Sequence, residues 1–278
     1  MEFIEWKWNT GDGLEMYSGE WLPSGKPRAV LCLVHGVGEH IGRYKWIGEA
    51  LTNAGYILSG FDQRGFGRSQ GKRGFTTSLD AYFDDITAFL TQVRGRHPNL
   101  PIFLYGHSMG AILVMAYTPE RHPDISGVIA TGPGIRSALE KQKMKVFLTK
   151  LLGKVYPGLT LQSGIDVNEI CRDPKVVEAY INDPYVHSLV SAGWGLAMLK
   201  AIDLIKQDAP RFPLPLLLMH ATGDTIAYPS SSTEFAEIAP KDKVTIKMWE
   251  GMKHEVHNDP DREQVFKYMI DWLNRHLP

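Results

Sequence analysis

A serine between two glycines is the residue of this chain best suited to nucleophilic chemistry. Residues 106–110 read GHSMG, a G-x-S-x-G pattern. A β-rich apolar run, residues 102–105, comes directly before it, and an apolar run with helical spacing, residues 111–117, follows it. In this setting the glycines allow a tight strand-to-helix turn, which places the serine hydroxyl at the top of a sheet. We therefore predict that Ser108 is a nucleophile.

A serine hydroxyl needs a general base, and the base needs a carboxylate that orients it. In sheets that carry this turn, the chain order is serine, then carboxylate, then histidine. Asp224 follows the apolar run 214–220, and His254 follows the run 244–249. Both therefore come at the carboxyl ends of predicted strands, the edge at which open α/β sheets build their sites. We predict that Ser108, Asp224 and His254 form a catalytic triad.

Other acids and histidines compete for these roles less well. Asp259 and Asp261 come after the predicted base and are typical of a helix start. His257 lies further from the strand end, and His35 comes too early in the chain order. Two more histidines adjoin the site segments and are expected to line the pocket or to satisfy hydrogen bonds: His107 and His220.

The reacting carbonyl oxygen needs two backbone N–H donors as negative charge develops on it. One comes from the start of the helix after the serine, at Met109. The second is expected from the loop after the strand Ala29–Val34, where residues 35–40 read HGVGEH. Glycines on both sides of Val37 let its N–H turn toward the serine hydroxyl. We assign the oxyanion hole to the N–H groups of Val37 and Met109.

The elements that must position these residues alternate between strand and helix patterns. Predicted strands cover residues 3–8, 14–21, 29–34, 56–61, 101–105, 127–131, 214–220 and 244–249, and the first two form a hairpin. Predicted helices cover residues 44–54, 79–93, 109–117 and 264–277. This alternation predicts the α/β class, with a mostly parallel central sheet flanked by helices.

The alternation stops over residues 135–209, which are helical and irregular and are interrupted by prolines. We expect a core domain, 1–134 and 210–278, that carries this interval as a helical cap. Lysines alternate with apolar residues over 141–155, so the stretch either packs over the core or lies in a membrane interface. Candidates for membrane contact are Val146, Phe147 and Leu151. Trp194 either lines an acyl tunnel or packs within the cap.

Composition excludes several functions. A formal charge of −1 over 278 residues provides no basic field for nucleic acid. The two cysteines form neither a disulfide framework nor a metal motif, and the predicted chemistry requires no metal or organic cofactor. The sequence shows neither a secretory signal nor an apolar run of about 20 residues, the length that a helix needs to span a bilayer. We expect a cytoplasmic protein, peripheral to membranes where it touches them, and the oligomeric state is left open.

Several strings together resemble the monoacylglycerol lipase and lysophospholipase branch of the α/β-hydrolases. They are HGVGEHIGRY at 35–44, DQRGFGRS at 62–69, GHSMG at 106–110 and EGMKHE at 250–255. The resemblance implies the α/β-hydrolase fold, the same triad and the same oxyanion donors. It also implies that Glu39 and Arg43 shape the polar end of the pocket near a glycerol group. The chain departs from the family pattern at Ala111 and Ala221, where glycine is usual.

The resemblance and the residues together predict acyl transfer in two steps through an acyl-enzyme on Ser108. The expected substrate is a lipid-like ester, foremost monoacylglycerol, which yields glycerol and a fatty acid. A short- or medium-chain carboxylesterase and a lysophospholipase remain alternatives on the same fold, as do thioesterases, acyltransferases and perhydrolases. From another class, a binding protein that has kept the fold without catalysis is also left open.

Overall fold

The computed structural model describes residues 1–137, 149 and 151–278, and within them eight strands form the central sheet. Its order is β1-β2-β4-β3-β5-β6-β9-β10. The bounds are β1 (Glu2–Asn9), β2 (Glu15–Leu22), β3 (Ala29–Val34), β4 (Tyr56–Phe61), β5 (Ile102–His107), β6 (Gly127–Thr131), β9 (Leu216–Ala221) and β10 (Val244–Trp249). β1 and β2 pair antiparallel, β2 is antiparallel to β4, and all other neighbours are parallel. The predicted mostly parallel sheet is confirmed.

Helices cover both faces of the sheet. The helices with described bounds are α1 (Lys45–Asn53), α2 (Leu79–Arg96), α3 (Met109–Arg121), α4 (Pro174–Asn182), α5 (Ala192–Asp208), α6 (Ser230–Ile238) and α7 (Arg262–Arg275). Of these, α4 does not pack on the sheet and instead buries Val176 and Val177 against Ile170 and Cys171. Apolar residues of α2, α3 and α5 pack on one face, and those of α1 and α7 pack on the other. Strands β3, β5, β6 and β9 are buried along their whole length, as expected for parallel strands covered on both sides.

Local signals account for where several elements begin. The Ser78 hydroxyl accepts a hydrogen bond from the Ala81 N–H, which caps the start of α2. Strand β5 extends beyond its predicted end at Tyr105 to His107, because Gly106 and His107 continue the pairing with β6. These two residues lack the apolar character by which the strand was predicted. As a result, the strand leads directly into Ser108.

The interval between β6 and β9 contains more sheet than the sequence indicates. Strand β7 (Thr160–Gln162) pairs antiparallel with β8 (Leu189–Ser191) in a separate two-stranded sheet. Strands of three residues are too short to show a period of two. The membrane-contact candidates Val146 and Phe147 lie outside the described residues. Leu151 lies in a helical stretch whose described residues include 151–155, and it is 49% exposed.

Along the described residues, none of the helices is both long and apolar enough to cross a membrane.

Candidate active site

Ser108 sits at the sharp turn between β5 and α3. Its backbone has φ 52° and ψ −114°, a conformation that favours glycine and strains any other residue. The neighbouring glycines allow this turn. A Cβ on Gly110 would lie 1.9 Å from the Val34 carbonyl oxygen, and a Cβ on Gly106 would lie 2.4 Å from the Gly110 carbonyl oxygen. Since neither position has room for a side chain, the start of α3 packs directly against the end of β3.

The structure brings together the three residues predicted as the triad. The Nε2 atom of His254 lies 2.9 Å from the Ser108 Oγ, and its Nδ1 lies 2.6 Å from the Asp224 Oδ2. A carboxylate oxygen only accepts, so Nδ1 carries a proton and Nε2 of the neutral ring is left to accept from the hydroxyl. Asp224 follows β9 and His254 follows β10, so the carboxyl ends of two adjacent strands place them at Ser108.

Electrostatics favours an ionised Asp224 and a basic His254. Burial alone would raise the pKa of Asp224, but the His254 imidazole and hydrogen bonds from His220 and His254 lower the pKa well below its ordinary range. Burial would lower the pKa of His254, but the charge of Asp224 and the hydrogen bond to it raise the pKa above its ordinary value of 6.5. The pair therefore stabilises an imidazolium beside the serine.

A second histidine holds the carboxylate from behind. The Nε2 of His220 lies 3.2 Å from the Asp224 Oδ2 and 3.1 Å from the Ala227 carbonyl oxygen, so this nitrogen is a donor. Its Nδ1 accepts from the Ser232 hydroxyl at 2.7 Å. The other oxygen of Asp224 accepts the N–H groups of Ile226 and Ala227, each at 2.9 Å. His220 thus satisfies hydrogen bonds, which is one of the two roles expected for it.

The loop of residues 35–40 passes directly beside the serine. A Cβ on Gly36 would lie 3.3 Å from the Ser108 Cβ, and Gly38 has a φ of +79°. The Gly36 N–H donates to the Glu39 Oε1 at 2.6 Å, which fixes the start of the loop. Val37 lies between the two glycines. On the other side of the serine, Met109 is the first residue of α3, where N–H groups lack helical partners and carry the positive end of the helix dipole.

Glu39 and Arg43 are buried in a network of charges that also includes Glu255. Arg43 Nη1 donates to Glu39 Oε2 at 2.7 Å, and Nη1 and Nη2 donate to the two oxygens of Glu255, each at 2.7 Å. The Tyr44 hydroxyl donates to Glu39, and the Tyr180 ring of α4 covers the guanidinium at 4.5 Å. Burial raises the pKa of Glu39. Burial also acts to raise the pKa of Glu255, but Arg43 more than offsets it and lowers the pKa to about 2. The sequence pattern predicts no role for Glu255.

Two further histidines near the site are buried, which favours their neutral forms. His107 packs its ring 4.9 Å from that of His254, and its Nδ1 lies 3.0 Å from the Thr131 Oγ1. His257 stacks on Tyr44 at 4.6 Å, and neither of its ring nitrogens has a partner among the described residues. Burial lowers the pKa of His257 to about 3 and the pKa of His107 well below its ordinary value. Only His254 of these three lies within hydrogen-bond distance of Ser108.

The alternative acids and the alternative base His35 bond to residues other than Ser108. Asp259 and Asp261 both form ion pairs with Arg172, a residue of the interval between β6 and β9. His35 accepts the Gln63 N–H through Nε2, and its Nδ1 lies 2.7 Å from the Gly36 carbonyl oxygen. None of these hydrogen bonds or ion pairs connects Asp259, Asp261 or His35 with Ser108.

Segments from the interval between β6 and β9 contact the loop beside the serine. The His187 N–H donates to the Gly38 carbonyl oxygen at 3.1 Å, and His40 Nε2 lies 2.9 Å from the Asp183 Oδ2. Both contacts are made to the 35–40 loop. In the part of the chain that the structure describes, no group of three or more His, Cys, Asp or Glu residues is arranged to hold a metal.

Comparison with known proteins identifies the class. Residues 25–261 match the family described as serine aminopeptidase, S33. This match covers most of the chain, so the chain belongs to that family. It is a serine hydrolase with the α/β-hydrolase fold.

Individual relatives place it more narrowly. A monoacylglycerol lipase of Mycolicibacterium smegmatis is 32% identical over 266 residues, with 95% of each chain covered. The crystal structure of Paleococcus ferrophilus monoacylglycerol lipase has a TM-score of 0.84 and 32% identity, covering 99% of this chain and 100% of that one. The chain belongs to the branch of α/β-hydrolases that resembles these lipases, as the sequence predicts. It also spans 27% of the length of an abhydrolase domain-containing protein of Dictyostelium discoideum, to which it is 36% identical over 262 residues.

Proposed function

We propose that this chain hydrolyses monoacylglycerols to glycerol and a fatty acid through an acyl-enzyme on Ser108. The observation that carries the proposal is the hydrogen-bonded sequence from Ser108 Oγ through His254 to Asp224, at 2.9 and 2.6 Å. Support for the substrate comes from relatives of similar length that are named monoacylglycerol lipases. The lipid ester is the only reactant that the reaction needs besides water.

In the first step, His254 Nε2 takes the proton of the Ser108 hydroxyl as its oxygen attacks the ester carbonyl. The N–H groups of Val37 and Met109 stabilise the oxyanion that forms. His254 then donates the proton to the departing glycerol oxygen. In the second step, His254 removes a proton from water, whose oxygen attacks the acyl carbon. The bond to the Ser108 oxygen then breaks, His254 returns the proton to that oxygen, and the fatty acid is released. Asp224 remains ionised throughout and keeps the imidazole in one tautomer.

We propose that Glu39, Arg43 and His107 shape the polar end of the pocket, where glycerol departs. Glu39 binds the Gly36 N–H and Arg43 binds Glu39, so both act on this region by holding the 35–40 loop. Their polar atoms are already paired, which favours a role in the shape of the pocket. The ring of buried His107 packs against that of His254, 4.9 Å away, and so supports it.

We propose that residues 135–209 act as a cap that touches the lipid surface. Apolar side chains of the described part of this interval are exposed, which is costly in water and favourable at a membrane interface. They include Leu151, Val155, Tyr156, Leu159 and Leu161, exposed by 40–69%. Replacing Val155 and Leu161 by aspartate is expected to reduce sedimentation with phosphatidylglycerol vesicles, with Ile238→Asp on α6 as the control. Unchanged sedimentation contradicts this contact.

The test of the proposed function is a panel of esters assayed with the wild-type chain and with Ser108→Ala. Monoacylglycerol, diacylglycerol, lysophospholipid and p-nitrophenyl acetate separate the lipase from the lysophospholipase and short-chain esterase alternatives. We expect monoacylglycerol to be preferred and Ser108→Ala to lose all activity and all labelling by a fluorophosphonate. Turnover by Ser108→Ala contradicts the nucleophile, and acetate hydrolysis with monoacylglycerol untouched contradicts the substrate. Absence of labelling in the wild type favours a binding protein.

A further inference from the structure

The loop that carries His254 has no regular secondary structure to hold it. It covers residues 250–261, between β10 and α7, and consists of turns and bends. The 35–40 loop is equally irregular. A displacement of about 1 Å in a reacting group can lower a rate on the order of 100-fold. Contacts outside regular secondary structure must therefore fix these two loops relative to each other, and side chains supply part of them.

One guanidinium connects the two loops. Arg43 Nη1 donates to Glu39, which in turn accepts the Gly36 N–H of the 35–40 loop. The same Nη1 and also Nη2 donate to Glu255, the residue directly after His254. We propose that Arg43 and Glu255 act as positioning residues, which fix the base against the 35–40 loop. This inference rests on the proposed ester hydrolysis.

Glu255 is anchored on more than one side. Its backbone N–H donates to the Ile170 carbonyl oxygen at 2.8 Å, and its Oε2 accepts from the Asn258 side chain at 2.8 Å. The side chains of Arg43 and Glu255 are 8% and 3% exposed. With water excluded, charge-assisted hydrogen bonds hold their geometry more firmly than they do at a surface. The position of residue 255 is therefore well defined, and residue 254 follows it.

The shape of arginine matters for this arrangement. A planar guanidinium presents a fork of donors that matches the carboxylate of Glu255 and still reaches Glu39. The ammonium of a lysine is a point charge on a flexible stem and cannot bind a carboxylate in this two-pronged way. Arg43→Lys therefore keeps the charge and removes the geometry.

A positioning role and a merely structural role differ in what they change. Loss of structure reduces the fraction of active molecules, whereas loss of position lowers kcat of molecules that are folded and can be titrated. Among the described residues, the charged or titratable groups that act on His254 include Asp224, His107, His257, Glu255 and Glu39. Removing the negative charge of Glu255 lowers the pKa of His254. The acidic limb of kcat/KM then moves to lower pH, a change that unfolding does not produce.

The experiment compares Glu255→Gln, Arg43→Lys and their double variant with wild type on p-nitrophenyl butanoate. Active sites are titrated with a fluorophosphonate, and thermal unfolding is recorded. Glu169→Gln is the matched control, because Glu169 pairs at 3.0 Å with Lys253, the residue on the other side of His254. Like Glu255→Gln, the control variant removes a carboxylate that connects this loop to another segment, here the interval between β6 and β9. It leaves the hydrogen bonds of Arg43 intact.

We expect kcat per titrated site to fall about 10- to 100-fold in each single variant, with KM changed less than about threefold. The double variant should be no slower than the slower single variant, because both break the same connection. The acidic limb should move to lower pH in Glu255→Gln and stay in place in Glu169→Gln.

Three results overturn the inference: an unchanged kcat in folded Glu255→Gln, an equal loss in Glu169→Gln, or losses that multiply in the double variant. If Glu255→Gln does not fold, Arg43→Lys provides the test, and an unchanged kcat in that variant also contradicts the positioning role. A wild-type chain without activity contradicts the proposed function instead, so the two failures are distinct.

Discussion

The indole nitrogen of Trp194 lies 2.9 Å from the sulfur of Met109, the residue next to Ser108. Trp194 stands on α5, in the interval between β6 and β9, and is partly buried against the core. The sequence left two roles open for it, an acyl tunnel or packing within the cap. This contact places the ring against the side chain of the residue that follows the nucleophile, so we expect it to limit the space available to the acyl chain.

Replacing Trp194 by alanine should therefore favour longer acyl chains. Removal of the indole enlarges the apolar space near Ser108, and an apolar pocket discriminates by roughly 1–3 kcal/mol per group that it gains or loses. We expect the ratio of kcat/KM for p-nitrophenyl decanoate to that for the acetate to rise about tenfold. Trp194→Phe, which keeps a ring, should change the ratio little. A ratio unchanged in the alanine variant shows that Trp194 only packs within the cap.

The backbone of Ser108 predicts an unusual order of stability. Within a helix or strand, glycine in place of alanine lowers the stability of a protein by about 0.5–1 kcal/mol. At Ser108 the φ of 52° strains any residue with a Cβ by about 1–3 kcal/mol. We therefore expect Ser108→Gly to exceed Ser108→Ala in free energy of unfolding by about 1 kcal/mol. Urea denaturation of the two inactive variants measures this directly, and the reverse order means that the turn is not strained.

The activity should decline on acidification at a pH set by His254. Only the neutral imidazole accepts the Ser108 proton, and Asp224 raises the pKa of His254 above 6.5. The midpoint of the acidic limb of kcat/KM is thus expected above pH 6.5. In Asp224→Asn the negative charge is absent, so the midpoint should move to lower pH while the rate falls by about 10⁴-fold. A midpoint that does not move excludes Asp224 as the charge that tunes the base.

Two adjacent positions in α3 should have opposite preferences for glycine and alanine. We expect position 110 to require glycine and position 111 to favour alanine. A Cβ on Gly110 would lie 1.9 Å from the Val34 carbonyl oxygen, so Gly110→Ala must push β3 and α3 apart, at a cost of about 3 kcal/mol. Ala111 is buried within the helix, and Ala111→Gly should cost about 1 kcal/mol through lower helix propensity. Thermal unfolding tests both. A tolerated Gly110→Ala contradicts the close approach of α3 to β3.

The sequence predicts the central sheet well because its parallel strands are buried on both faces. Such strands appear as continuous apolar runs, and the predicted bounds of β3, β4 and β6 agree with the structure. The bounds of the half-buried edge strand β10 also agree. Prediction fails where pairing depends on distant partners. Strand β7 pairs Thr160 with Ser191, and neither strand is long enough to carry a pattern. Where β5 ends depends likewise on its pairing with β6.

The site follows the same division. The order of Ser108, Asp224 and His254, each after an apolar run, was sufficient to select residues that the structure brings together. Glu255 carried no such signal, because its partner Arg43 lies 212 positions away in the chain. The available indication of a role was its place in the chain, as a charged residue directly after the predicted base and next to apolar Val256.

The hydrogen bond from the His187 N–H to the Gly38 carbonyl oxygen has a consequence for protein engineering. Together with the contact of His40 with Asp183, it connects the interval between β6 and β9 to the loop beside the serine. A chimera that replaces residues 135–209 by the insertion of another hydrolase removes one partner of each contact and keeps the other. Grafts intended to alter substrate choice must therefore exchange residues 38–40 along with the insertion, or they will disturb the chemistry that they aim to redirect.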